Sequence, residues 1–325
     1  MTTRLKYDAL IIGGGAAGLS AAVALGRSRR TVLVIDAGKP RNAPSAHAHN
    51  YLGREGVPPL QLLEIGRTEA RSYGAEIVSN TAVSATKVEG GFTVTLGDGT
   101  SVTGRSLLVT TGLTDTLPDI PGIADRWGRE VLHCPYCHGW EVRDQALGII
   151  GGKFGVHQAL MWRQWTDDIV LFTQDFEPSE EDQVKLDARG IRVETDKIVE
   201  LVIENDTLIG VHMTSGRTVP VQAVVVKPKF EANADILLQL GLETTELMMG
   251  DVPVGATSVA TDPTGATSVA GIWAAGNVTS PMEILIGSAA GGVRAAGALN
   301  AYLIDEDVRS AVRAATDEAG GGTQS

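Results

Sequence analysis

The stretch 7-YDALIIGGGAAG-18 decides the fold. Its apolar half, residues 7–12, is typical of a buried strand, and Gly13, Gly15 and Gly18 follow in the pattern Gly-x-Gly-x-x-Gly. The first glycine makes the tight turn, the second lets backbone N–H groups approach a pyrophosphate, and the third lets the helix pack closely on the strand. The pattern therefore predicts a dinucleotide-binding α/β unit.

The residues after the third glycine complete this unit. The run 19-LSAAVALGRSRR-30 is typical of a helix, and 31-TVLVID-36 is typical of a second strand, which ends on Asp36. An acidic residue about 20 positions after the turn can accept the ribose hydroxyls of an adenine dinucleotide. A glycine-rich turn in another kind of α/β domain is the alternative, and the complete strand–turn–helix–strand–acid order favours the dinucleotide site.

A second stretch, 146-ALGIIGGKFGVHQALMWRQW-165, repeats the pattern with one glycine missing. Gly152 and Gly155 stand for the second and third glycines, and Ile150 stands where the first is expected. We therefore expect a second fold of the nucleotide-binding type, because the strand–turn–helix order survives.

The segment after the next strand, 173-TQDFEPSEED-182, is acidic. It has no cluster of Arg or Lys to hold the 2′-phosphate of NADP, and Asp175 and Glu177 would repel one. We therefore expect the nucleotide site of the second fold to be degenerate.

The stretch 133-HCPYCHGWE-141 holds both cysteines of the chain, Cys134 and Cys137, with His138 directly after them. Cys-x-x-Cys-His can be the attachment pattern of a c-type haem, half of a zinc site, or a redox-active pair. Haem attachment is expected in an exported protein, and zinc needs about four ligands, of which the cysteines supply only two. A redox-active pair is therefore favoured, and no metal site is predicted.

Length and charge limit the class of protein. The chain has 325 residues, which predicts two domains, each with its own core. Its formal net charge is −12 and it has no basic run, so nucleic acid and anionic membrane surfaces are poor partners. Residues 1–15 do not resemble a signal peptide, and no run of 18 or more apolar residues could span a bilayer. We expect a cytoplasmic protein, in which a close cysteine pair is more often catalytic or metal-binding than structural.

The motifs together resemble a known family. A first glycine motif, a Cys-x-x-Cys, a second glycine motif and a late 274-AAGNV-278 occur in the order of the low-molecular-weight thioredoxin reductase family of flavoproteins, over about residues 5–305. The resemblance implies an α/β protein of two Rossmann-like, three-layer nucleotide-binding domains. It implies a discontinuous FAD-binding domain, 1–115 and 250–325, and an inserted NAD(P)H-binding-like domain, 116–249, that carries the cysteines.

The resemblance also implies FAD as the cofactor and supplies candidate contacts for it. Relatives usually have Gly-Asp-Val where this chain has Asn277, which keeps hydrogen-bonding capacity and loses the charge. Ile284 stands where relatives often place a Gln against the flavin. The implied cofactor-binding residues are Gly13, Gly15, Ala16, Ala17, Gly18, Asp36, Asn50, Thr111, Gly112, Gly276, Asn277 and Ile284.

In the family the cysteine pair exchanges electrons with the flavin. The resemblance makes Cys137 the flavin-proximal sulfur and Cys134 the outer sulfur that exchanges with substrate. Where the usual reductases have Asp, this chain has His138, and 133–141 is similar to the dithiol oxidases of gliotoxin and holomycin biosynthesis. Those enzymes close disulfides in small molecules without NADPH and return the electrons to oxygen.

His138 is a candidate base. The reactive species in thiol exchange is the thiolate, and a histidine with an ordinary pKa of about 6.5 can take a proton near neutrality. His133 is a second candidate, and a turn-capping or packing role for His138 is the alternative. The roles of His47 and His49 are left open by the sequence: they could be ligands, proton relays or packing residues of a loop.

The leading hypothesis is an FAD-dependent thiol–disulfide oxidoreductase that oxidises a dithiol through Cys134 and Cys137, acting on a small-molecule dithiol or a thioredoxin-like protein. The alternatives are a thioredoxin reductase driven by NADPH or ferredoxin, and a non-catalytic flavin-binding redox sensor. The resemblance suggests a homodimer. A helix is expected over 287–304, and residues 316–325 are expected to be a frayed tail.

Overall fold

The computed structural model describes residues 6–152 and 154–321. The start of the stretch tested for a signal peptide, 1–5, and the end of the expected tail, 322–325, lie outside the described residues. The chain divides into two compact units. The first comprises Met1–Arg41, Leu60–Thr114 and Phe230–Ser325, and the second comprises Asn42–Pro59 and Asp115–Lys229.

Strands and helices are numbered separately along the chain. The strands are β1 Tyr7–Ile12, β2 Val32–Asp36, β3 Glu76–Ser79, β4 Ala82–Val88, β5 Gly91–Leu96, β6 Ser101–Val109, β7 Leu113–Thr116, β8 Val131–Leu132, β9 Leu147–Ile150, β10 Ile169–Phe172, β11 Arg192–Glu194, β12 Ile198–Glu204, β13 Thr207–Met213, β14 Thr218–Val219, β15 Ala223–Val225, β16 Lys229–Ala232, β17 Thr244–Met249, β18 Val252–Val259 and β19 Ile272–Ala274. The helices are α1 Ala16–Arg27, α2 Pro59–Ser72, α3 Ile123–Arg126, α4 Pro135–His138, α5 Gly155–Trp162, α6 Glu180–Ala188, α7 Asp235–Gln239 and α8 Leu285–Gly321, with a 3₁₀ turn at Gly276–Val278.

The first unit is built on a mostly parallel sheet. Strands β3, β2, β1 and β6 lie side by side, β19 pairs with the end of β6, and the β4–β5 hairpin pairs with its beginning. Side chains of β1 alternate between two cores, as the pleat of a strand requires. Ala9 and Ile11 pack under α1 and α8, whereas Leu10 and Ile12 pack with the hairpin and α7.

The second unit repeats this plan. Its parallel sheet has the order β11, β10, β9, β15, β8. Leu147 and Ile149 of β9 pack with α5 and α6, and Ile150 packs with the antiparallel sheet of β12, β13 and β14 on the opposite face. The expected α/β class with two Rossmann-like, layered domains is confirmed.

The division of the chain differs from the expected one at two places. The chain returns to the first unit at Phe230 instead of 250, because Ile236 and Leu237 of α7 lie in its core and β17 pairs with β18. Residues 42–59 belong to the second unit, where they contact the cysteine segment.

The expected tail was wrong for residues 316–321, since α8 runs to Gly321. The segment after 304 contains Ala, Arg and Glu, which favour helices, and Val308 and Val312 one turn apart. Asp307 also forms ion pairs with Arg30 and Arg105. Across the part of the chain that the structure describes, none of the helices has both the length and the apolar character needed to cross a membrane.

Candidate functional site

The first glycine turn has no room for side chains where it meets β6. Gly13 has φ +108°, and a Cβ there would lie 2.4 Å from the carbonyl oxygen of Thr110. A Cβ on Gly18 would lie 1.9 Å from the carbonyl oxygen of Gly13. Both contacts are with backbone, which cannot move aside, so these two positions require glycine for steric reasons.

Gly15 is different, because an added Cβ there would meet nothing within 4 Å. It is the N-cap residue of α1 and has no side chain, so the N–H groups of the first turn, at Ala16, Ala17 and Gly18, receive no hydrogen bond from a capping side chain. A helix N-terminus of this kind binds phosphate. These residues fit the pyrophosphate of FAD.

Asp36 ends β2 beside this turn. Its carboxylate accepts hydrogen bonds from the Gly38 backbone N–H and from the Arg67 guanidinium, both at 3.0 Å. A carboxylate has about four acceptor positions, so a ribose hydroxyl can still donate to it. Sequence reasoning missed Arg67, because its place on α2 gives no sign that it reaches β2.

Other residues expected to contact the cofactor lie in the same unit. A Cβ on Gly276 would lie 3.1 Å from that of Ala17, so the 3₁₀ turn borders the glycine turn. Asn277 donates its side-chain N–H groups to the carbonyl oxygens of Ser280 and Glu283, so only its oxygen or its backbone N–H could bind a cofactor.

Thr111 and Gly112 are held to one residue of the same unit. The Thr111 hydroxyl donates to the Asn233 carbonyl at 2.6 Å, and the Asn233 backbone N–H donates to the Gly112 carbonyl at 3.0 Å. Ile284 directly precedes α8 and is partly exposed. These positions keep their expected roles as predictions.

The two cysteines lie at the start of α4 in the second unit. Cys134 is the N-cap residue and Cys137 the third helical residue, whose backbone N–H donates to the Cys134 carbonyl at 3.2 Å. Both are thiols, with the sulfurs 2.9 Å apart. A disulfide needs about 2.05 Å, so a small movement joins them. The one-turn helix thus holds a pair suited to reversible oxidation.

His138 ends α4, and its ring is held by a hydrogen bond. Its Nε2 lies 3.2 Å from the Ser45 hydroxyl, and its Nδ1 is buried without a hydrogen-bond partner among the described residues. The Cys134 carbonyl lies near the ring but does not have hydrogen-bond geometry with Nδ1. Burial lowers the pKa of His138, the charge of His49 lowers it further, and Glu141 and the Cys134 carbonyl oppose the shift. His138 is therefore neutral near pH 7 and able to accept a proton.

A loop over residues 45–57 binds this helix. His49 Nδ1 lies 2.7 Å from Glu55 Oε1, and its Nε2 lies 3.4 Å from Glu141 Oε1. Asn50 donates its side-chain N–H to the Tyr136 carbonyl at 2.5 Å. The structure thus brings His49 to the cysteine segment.

The loop contains site residues that the sequence did not indicate. Ser45 was missed, since only the fold brings it to His138, 93 positions away, and Glu55 was missed because its role is to pair with His49 of its own loop. Asn50 was predicted to contact the cofactor. Its side-chain N–H already donates to the Tyr136 carbonyl, so a cofactor contact would have to use its remaining hydrogen-bonding groups.

The family model described as pyridine nucleotide-disulphide oxidoreductase matches residues 7–296. The chain belongs to this family.

Similar proteins agree with this assignment. Thioredoxin reductase sirT of Leptosphaeria maculans is 32% identical over 93% of this chain and 96% of its own length. Thioredoxin reductase tcpT of Claviceps purpurea is 30% identical over 85% of this chain and 88% of its own. The crystal structure of HlmI superposes with a TM-score of 0.90, at 43% identity, over 98% of this chain and 99% of that one. The resemblance to thioredoxin reductase-like flavoproteins is confirmed, and membership of the family implies FAD.

The second glycine turn of this pyridine nucleotide-disulphide oxidoreductase differs from the first in its backbone conformation and in the residue that ends the neighbouring strand. Gly152 has φ +120°, so its backbone conformation matches that of Gly13. The sequence had instead matched Gly152 with Gly15. Phe172 pairs with Ile150 in the second sheet, as Ile35 pairs with Ile12 in the first. The residue after Phe172, Thr173, therefore occupies the position that Asp36 has in the first sheet.

The surroundings of the second turn also differ. Thr173 is buried, and Asp175 nearby is in an ion pair with Lys197 at 2.5 Å. The Lys227 ammonium lies 3.2 Å from the ring centroid of Phe154, and burial lowers the pKa of Lys227 to about 8. In the described part of the chain, no group of three or more His, Cys, Asp and Glu side chains is placed to hold a metal ion.

Proposed function

We propose that this oxidoreductase is an FAD-dependent dithiol oxidase that closes a disulfide in its substrate through Cys134 and Cys137. The observation that carries the direction is the second glycine turn. Thr173 replaces the acidic residue that would hold a ribose, and the segment that follows is acidic. These features favour a reductant other than NADPH, and a dithiol is the one that suits a cysteine pair.

The proposed exchange starts from the Cys134–Cys137 disulfide. His138 takes the proton of one substrate thiol, and the thiolate attacks the sulfur of Cys134, so that Cys137 leaves as a thiolate. The second substrate thiol then attacks the mixed disulfide, closes the substrate disulfide and gives its proton to the departing Cys134 sulfur. The substrate loses two S–H bonds and gains an S–S bond, its protons lie on His138 and Cys134, and the electron pair rests on the cysteines. Bound FAD would accept that pair and pass it to oxygen.

The hydrogen bonds of His138 are consistent with its role as the general base. If Nε2–H donates to Ser45, Nδ1 carries the lone pair, and this atom is the one without a partner in the described residues. A buried polar atom left unpaired is costly, and such atoms are typical of functional sites.

Anaerobic titration of the purified yellow protein tests the direction of electron flow. We expect a dithiol to bleach the flavin absorbance and NADPH or NADH to leave it unchanged. The Cys134→Ser variant should keep its flavin and lose bleaching by dithiol. Rapid bleaching by NADPH would instead establish the NADPH-dependent thioredoxin reductase, and flavin that no reductant of either kind bleaches would indicate a redox sensor.

His138→Asn tests the base. We expect dithiol-dependent flavin reduction to slow by about 100-fold, the lower end of what a general base contributes. The wild-type rate should fall as the pH drops through the pKa of His138, with a midpoint below the ordinary value of about 6.5, because burial favours the neutral ring. An unchanged rate in stopped-flow measurements would remove His138 from the mechanism. The cytoplasmic location, the homodimer and a ferredoxin-linked role are predictions that need separate measurements.

A further inference from the structure

The ring of His49 lies between two carboxylates of the second unit. Its Nδ1 is 2.7 Å from Glu55 and its Nε2 is 3.4 Å from Glu141. A neutral imidazole has one N–H and can donate to only one of them, whereas an imidazolium donates to both. The two carboxylates therefore hold the ring of His49 from both sides.

The loop holds this ring in place. Glu55 also accepts the Asn50 backbone N–H at 2.9 Å, and Ala48 pairs with Val57 across the base of the loop. These hydrogen bonds to His49 and Asn50 hold the pKa of Glu55 below its usual range, so Glu55 is a carboxylate at neutral pH.

Both His49 and Glu141 act on His138 through space. Glu141 follows His138 by three positions, and His49 reaches the same region from the loop. A positive charge beside His138 disfavours its protonation and a negative charge favours it, so the two neighbours act with opposite sign. Cys134 and Cys137 lie on the same segment as His138, and His47 and Glu55 lie on the loop beside His49.

We propose that His49 is a positioning residue, held between Glu55 and Glu141, and that its pairing with Glu141 weakens the hold of that carboxylate on a proton at His138, the ring that takes the substrate's proton. The proposal rests on the dithiol exchange proposed above. Without His49, Glu141 would lose this partner and would oppose the effect of burial more strongly, so the pKa of His138 would rise.

Two neutral variants with opposite expected shifts test this. The readout is the midpoint of the acid limb in the pH profile of dithiol-dependent flavin reduction. His49→Gln removes the ring that pairs with Glu141 and should move the midpoint up by about half a unit or more, whereas Glu141→Gln should move it down. Glu55→Gln should move it up by less than His49→Gln. His47→Gln is the matched control, since its ring lies 6.3 Å from that of His49 and its loss leaves both ion pairs intact; it should not move the midpoint.

Conservative variants separate charge from folding. His49→Arg supplies several donors to the two carboxylates and should restore the wild-type midpoint, and Glu141→Asp should do the same for the anion. The proposal would be overturned by shifts of equal sign in His49→Gln and Glu141→Gln, by no shift in either of them, or by shifts in the Arg and Asp variants as large as those in the Gln variants. A failure of the exchange itself looks different, because the acid limb would then be absent from the wild type or would survive in His138→Asn.

Discussion

The two glycine turns occupy the same place in their sheets and differ in what surrounds them. The backbone N–H after the first strand donates to the neighbouring strand in both, from Gly13 to Ile35 at 2.8 Å and from Gly151 to Phe172 at 2.7 Å. An added Cβ would lie 2.4 Å from the Thr110 carbonyl oxygen at Gly13 and 2.6 Å from the Phe172 carbonyl oxygen at Gly151, so both positions exclude side chains, whereas at Gly152 it would meet nothing within 4 Å.

The difference shows that a shared fold does not imply a shared ligand. The first turn is packed tightly by backbone on one side and open at Gly15 on the other, as a pyrophosphate requires. The second turn also excludes a side chain at Gly151, where an added Cβ would lie 2.6 Å from the Phe172 carbonyl oxygen, but its acidic partner is replaced by Thr173. The second unit instead supplies the cysteines and His138.

The largest expected effect comes from a matched pair of alanine variants. Gly18→Ala places a Cβ 1.9 Å from a backbone oxygen, so we expect a loss of about 3 kcal/mol in the free energy of unfolding and little bound flavin. Gly155→Ala meets only the Leu171 side chain at 3.0 Å and should stay within about 1 kcal/mol of the wild type. Urea titration and flavin absorbance measure both. Equal losses would mean that the two turns are packed alike.

A second pair separates ligand binding from folding. Gly15→Ala has ordinary φ and open space, so the apoprotein should keep its stability within about 1 kcal/mol. Its Cβ enters the space of the cofactor, and we expect FAD affinity to fall at least about tenfold. Gly152→Ala should do the reverse, with about 2 kcal/mol lost to the strained φ and FAD affinity unchanged. FAD titration of the apoproteins would contradict the comparison if Gly152→Ala lost affinity as Gly15→Ala does.

The smallest expected effect is a change in the chemical reactivity of Lys227, which lies beside the second turn. Because burial lowers the pKa of Lys227 to about 8, a large fraction of its amine is neutral at pH 8, where an ordinary lysine is almost fully charged. We expect an acylating reagent to label Lys227 several-fold faster than other lysines, as measured by mass spectrometry. Adding NADPH should not protect it if the turn binds no nucleotide; protection by NADPH would make the second turn resemble the first. Phe154→Ala should reduce the advantage, because it exposes the amine to water.

Local sequence patterns were sufficient to predict most of the fold. The alternation of β1, the glycine spacing and the position of Asp36 are encoded within about thirty residues, so they could be predicted directly. The boundary at 230 could not, since it depends on whether Ile236 and Leu237 pack on one sheet or the other, and their local sequence is compatible with both. The extent of α8 was underestimated, because Asp307 is anchored by Arg30 and Arg105, which are distant in the sequence.

The sequence by itself determined the chemistry available to this protein: two glycine turns, one of them incomplete, and a cysteine pair followed by a histidine. Only the tertiary structure decided which groups act on that histidine. Ser45 and His49 reach it through a loop, on which Glu55 pairs with His49. The loop belongs to the second unit, although the chain on both sides of it belongs to the first. Spacing along a chain predicts contacts within one strand or helix, whereas the proton affinity of a side chain depends on charges close to it in space, wherever they lie in the sequence.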